Sequence, residues 1–115
     1  MTPAQIAATL SAIIPVLEPL VNEIETVSRS SPDTIAKVNL AMQGVKDGIA
    51  ALGTAESTSA SQPIVQRVEA DAQAVLTVAA QLPLPGPAGT ALRIAALLVP
   101  IVFTSVNMAL AQHNA

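Results

Sequence analysis

The sequence predicts an all-α protein, a four-helix up-down bundle, from three observations. Apolar residues recur at alternating spacings of three and four along most of the chain, which is the period of a helix face. Proline stands just inside the start of four apolar segments, at Pro3, Pro32, Pro63 and Pro87. There its missing N–H costs nothing and its fixed φ already suits the helix. Alanine, the best helix former, supplies 22 of the 115 residues. These signals place helices at about 3–28, 32–53, 62–82 and 87–112, in a single helical domain spanning 1–115.

Helix one opens on Thr2 and Pro3, with Gln5 completing a Thr-x-x-Gln capping box. Its seam is Ile6, Leu10, Ile13, Leu17, Leu20, Ile24 and Val27, spaced as in shallow-angle bundles. Pro15 and Pro19 each remove an intrahelical hydrogen bond, so a kink or a break near Ile14 is expected. It reads as the bend of a helix wrapping a core rather than as a hinge. Glu18 and Glu25 share one face with Asn22 between them. Two turns, about 10 Å, separate them, so they read as a solvated face and not as an acid–base pair. Arg29 follows Glu25 in the favourable order for an i,i+4 ion pair.

Helix two starts after Ser31, with Asp33 where the helix dipole favours negative charge. Ile35, Val38, Met42, Val45, Ile49 and Leu52 form its seam. Beside it runs a stripe of small residues: Ala41, Gly44, Gly48, Ala51 and Ala55. The Gly44-x-x-x-Gly48 spacing is that of membrane helix dimers, but Lys46 and Asp47 lie inside it, which favours close packing in water. Two mid-helix glycines cost about 1 kcal/mol each relative to alanine, so a packing role is expected, with self-association as one use. After Gly53 the Ser/Thr-rich stretch 54–61 reads as a flexible loop.

Helix three follows Ser61, Gln62 and Pro63, with the seam Val65, Val68, Ala72, Val75, Ala79 and Leu82. Arg67, Glu69 and Asp71 read as its water-facing side. Residues 83–87, Pro-Leu-Pro-Gly-Pro, form a short stiff connector.

Helix four is apolar all round, and after Arg93 the 19 residues Ile94–Gln112 carry no formal charge. Ile94, Leu98, Ile101, Val102 and Phe103 mark it as either a core helix or a membrane helix. The favoured placement is a buried centre covered by the three amphipathic helices. Insertion is the alternative, because the length meets the threshold for a bilayer span. Pro100, Thr104, Ser105 and Asn107, and the lack of Trp or Tyr at either end, weigh against insertion. Arg93 reads as a surface arginine snorkelling out of the first turns.

Composition removes whole classes of function. There is no Cys, hence no disulfide framework or thiolate site. Net charge −3 and a single aromatic residue, Phe103, disfavour nucleic acid. His113 is the only histidine and lies in the tail, so neither a zinc site nor a catalytic base is expected. Gly86-Pro87-Ala88-Gly89 lacks the Gly-Lys-Ser/Thr ending of a phosphate loop. No enzyme activity, metal or cofactor is expected. The N-terminus MTPAQIAATL has no basic region, so no secretory signal is evident. A cytoplasmic location is favoured, with inner-membrane association as the alternative.

The expectation is therefore a structural or adaptor subunit that packs against itself or another helical protein. The alternatives are a small membrane-inserting, holin-like protein and a carrier holding an apolar ligand in the bundle core. In layout alone, a small charge-poor chain with an apolar helix resembles phage holins and small structural subunits of phages or secretion apparatus. That resemblance rests on size and hydropathy and assigns no residue a role.

Overall fold

In a computed structural model the protein is all-helical. The structure describes residues 2–29, 31–84 and 86–114, with backbone alone for His113 and Asn114. Five helices follow in order: α1 Pro3–Ser11, α2 Ile14–Val27, α3 Pro32–Gly53, α4 Thr58–Ala80 and α5 Gly86–Asn114. Among the described residues there is no strand.

The capping box of α1 forms as written in the sequence. Thr2 N donates to Gln5 Oε1 at 2.8 Å, and Gln5 N donates to Thr2 Oγ1 at 3.2 Å. The single helix expected over 3–28 is two helices, bent by 43° at a short break. Pro15 has no N–H for the Ser11 carbonyl, and its ring displaces that carbonyl, so the ladder stops there. The chain tightens into i→i−3 bonds instead, Ala12 N to Thr9 O at 3.2 Å and Ile13 N to Leu10 O at 3.0 Å. Pro19, by contrast, is carried inside α2 without a second break. Because α2 ends at Val27, Arg29 lies beyond the helix and the expected Glu25–Arg29 pair does not form.

The largest departure from expectation is the start of α4. It begins at Thr58, so the connection from α3 is only 54–57 and Pro63 lies inside the helix rather than at its first turn. Ser57 is the cap, its Oγ accepting from Ala60 N at 3.1 Å. The helical seam also runs further upstream than its apolar members suggest. Thr58 and Ser61 continue the spacing that leads to Val65 and Val68, and both are buried. Ser61 Oγ donates to Ser57 O at 3.1 Å, so its burial leaves no hydroxyl unpaired.

Four prolines that interrupt the helical ladders follow one rule. Pro15, Pro19, Pro63 and Pro100 are all exposed. The carbonyls they leave without an i+4 donor belong to Ser11, Pro15, Ser59 and Ala96, which are also exposed. Water can satisfy each of them, which is why four such prolines are tolerated in one small helical protein.

The core joins all five helices. Ile6, Leu10, Leu17 and Ile24 meet Val38, Val45 and Leu52 of α3 and Val65, Val68 and Val75 of α4 in one buried cluster. Packing links α3 with α4, α1 and α2, and links α5 with α4, α2 and α1. Helix α5 enters the core through Ala88, Ala95, Val99, Phe103, Val106 and Leu110. At 1.5 Å per residue it is about 43 Å long, nearly the full 46 Å of the molecule. A central helix covered on all sides is not what forms: only 28% of the most apolar window of α5 is buried. With two helices from the first segment sharing its neighbourhood, the others cover one face of α5 and leave the opposite face open.

Candidate association surface

The outward face of α5 divides into two strips. One is apolar: Ile94, Leu98, Ile101, Ser105 and Met108 step by four, three, four and three, with Leu97 beside them. Leu97 is 68% exposed and Ile101 60% exposed. Beside this seam runs a strip of exposed polar or helix-interrupting residues, Arg93, Pro100, Thr104 and Asn107. Proline at position 100 leaves the Ala96 carbonyl without a helical donor on this exposed side. The face is thus a one-helix-wide apolar seam bordered by a wet strip.

The residues singled out in the apolar segment part company here. Ile94, Leu98 and Ile101 point outward, Val102 is half-buried, and Phe103 is the largest fully buried side chain of the core. Leu97 and Met108 were not singled out by sequence, although both lie on or next to the seam that starts at Ile94. Leu40, exposed on α3, has no comparable neighbours on its own face.

The two glycines of the small stripe of α3 face α4 of the same chain. Ala41 is buried, Gly44 and Gly48 are half-buried, Ala51 is exposed, and Ala55 lies past the helix end. A Cβ placed on Gly44 would collide with the Asp71 carboxylate, and one on Gly48 with Cγ2 of Val68. Glycine at position 48 leaves room for the buried Val68, because the α3 backbone passes directly under α4 side chains. At least the two glycines of the stripe are therefore spent within the molecule. Beside them lies a shallow groove of about 280 Å³ bordered by Asp47, Ile64 and Arg67.

A second, more polar cleft of about 380 Å³ lies between α2 and α3. Glu18, Asn22 and Glu25 face Asn39, Gln43 and Lys46 across it. Lys46 Nζ sits 3.2 Å from Glu18 Oε1, the ion pair found among the described residues. Both side chains are about half exposed, so the pair contributes about 0–1 kcal/mol. Gln43 Nε2 donates to Asp47 Oδ1 at 2.8 Å, along the α3 surface. Among the described residues no three His, Cys, Asp or Glu side chains gather as metal ligands do. The side chain of His113 lies outside the described residues, and Arg93 is exposed.

Comparison with protein-family models, curated proteins and solved structures gives no significant match.

What distinguishes this surface is chemical contrast. The cleft between α2 and α3 is lined largely by polar side chains, and the groove beside the glycines sets Asp47 and Arg67 next to Ile64 and Ala51. The seam of α5 presents five large apolar side chains to water along one helix. An exposed apolar patch on the order of 500 Å² has the size of the largest patch on a typical monomer, and such patches are often functional.

Proposed function

We propose that this chain is a non-enzymatic helical subunit that works by packing the outward seam of α5 against another helix. In this reading α1 and α2 are one bent rod, and the molecule is an up-down bundle of four rods. The observation that carries the proposal is the exposure of Ile94, Leu97, Leu98, Ile101 and Met108 on a helix whose opposite face is committed to the core. Apolar area buried in a partner contributes about 25 cal/mol per Å², so covering this seam is a substantial driving force. The narrowness of the seam favours a helix as its cover, since a facing helix fills a stripe of this width.

A second reading has its own support. Gly86–Gln112 is long and apolar enough to cross a membrane, with a mean hydropathy of 2.1 over its most apolar window. Insertion would place the bare Ala96 carbonyl and the Arg93 side chain in or beside hydrocarbon, where an unsatisfied backbone group costs several kcal/mol.

High-speed centrifugation of the expressed chain without detergent separates the two. Recovery in the supernatant, with a helical circular dichroism spectrum, is expected for the association subunit. Recovery only in the membrane pellet, resisting alkaline carbonate and released by detergent, overturns it in favour of insertion.

A further inference from the structure

We infer that the seam of α5 is closed by α5 of a second copy of this chain, the two helices running antiparallel about a two-fold axis at Ile101. The inference rests on the association reading above and names its partner. Three observations carry it.

Charge restricts where two copies can meet. The chain has net charge −3, and 12 of its 13 formal charges lie in residues 1–71. Helix α5 holds one, Arg93, so it is the surface on which two like-charged molecules approach with the least repulsion. A parallel pair would set the two Arg93 side chains next to each other. The antiparallel pair separates them by about 24 Å along the axis, well beyond the ~8 Å screening length at physiological salt. It also opposes the two helix dipoles.

Ile101 is the midpoint of the seam. Ile94 lies seven residues before it and Met108 seven after, on nearly the same line of the helix. Under the two-fold, Ile101 meets its own copy and Ile94 faces Met108, so large apolar side chains meet at three levels along the pair.

Area and wetting agree with this occupant. Roughly 500 Å² from each copy makes about 1,000 Å² in all, the lower limit for a specific interface. A helix laid along the seam leaves Arg93, the Ala96 carbonyl and Asn107 in water beside it, whereas a bilayer would strip water from all three.

Because the chain has no Cys, single cysteines report the pairing directly. Full-length protein free of detergent is expected to have the mass of a dimer at micromolar concentration in sedimentation equilibrium. Ile101→Cys is expected to cross-link to itself through a short thiol-reactive spacer. Ile94→Cys should cross-link to Met108→Cys when the two are mixed, and not to itself. Ile101→Glu, at a site exposed in the single chain, should keep the helical spectrum and melting of a monomer while weakening the dimer about 30-fold or more, as loss of an interface hot spot does. A soluble wild-type monomer overturns the self-pairing and leaves association with a different helix standing. Self-linking of Ile94→Cys, or a dimer unchanged in Ile101→Glu, overturns the antiparallel seam. Protein found only on phosphatidylcholine–phosphatidylglycerol vesicles overturns both this pairing and the association reading.

Discussion

Gly48 on α3 lies directly under Cγ2 of Val68 on α4, close enough that a single added methyl would collide with it. Val68 is fully buried and β-branched, so it has little freedom to move aside. Four residues earlier, Gly44 faces the Asp71 carboxylate, the end of a half-buried side chain that can turn toward water.

The two glycines are therefore unequal. Gly48→Ala should destabilise by about 1–3 kcal/mol through overpacking. Gly44→Ala should range from neutral to about 1 kcal/mol more stable, because the gain in helix propensity meets a yielding neighbour. Urea melts of both variants check this. Equal effects would mean that α3 and α4 do not approach most closely at Gly48.

The start of α4 rests on Ser57, which caps it through Ala60 N. Ser57→Ala should cost about 1 kcal/mol, the usual loss at such a cap. Were the helix to begin at Pro63, the same substitution would leave the denaturation midpoint unchanged.

At the other extreme, Ser28 sits at the end of α2 with its Oγ buried and without a hydrogen-bond partner among the described residues. A desolvated hydroxyl in that state costs about 1–3 kcal/mol. Ser28→Ala is expected to raise Tm, by about 4 °C for a gain of 1 kcal/mol in a chain of this size. A lower Tm in calorimetry would show that the hydroxyl is bonded in solution.

The two faces of α5 can be told apart by truncation. Phe103→Ala removes the largest buried side chain and should cost about 3–5 kcal/mol at any protein concentration. Leu97→Ala, on the open face, should change the stability of the single chain by less than about 0.5 kcal/mol. Its effect should grow with concentration only as copies associate. A large, concentration-independent loss for Leu97→Ala would place that residue in the core instead.

Much of the fold is legible residue by residue. The Thr2–Gln5 capping box, the proline at the start of α3 and Gly53 at its end act through bonds within one turn, so local sequence is enough to read them. Seams such as Val38, Val45 and Leu52 are equally plain, because apolar and polar residues alternate around the helix and the contrast marks one face. Legibility fails where that contrast is missing. Thr58 and Ser61 occupy seam positions with polar side chains, which hid the first turn of α4. The interruption before Pro15 is legible as a kink or a break, yet which of the two forms depends on what the two halves pack against.

Two features lay beyond any reading of the chain alone. The stripe at Gly44 and Gly48 announced a close approach, but periodicity says which face is small and not which neighbour fills it, and here the neighbour is α4 of the same molecule. In α5 nearly every position from Ile94 to Leu110 is apolar or small, so the helix carries too little angular signal to say which arc turns inward. By itself the sequence determined an all-helical chain whose charge is concentrated in its first 71 residues. Only the tertiary structure decided that Val99, Phe103 and Val106 face the core while Ile94, Leu97 and Ile101 face out. A small bundle has enough surface to cover one side of an apolar helix, and the remaining side faces water.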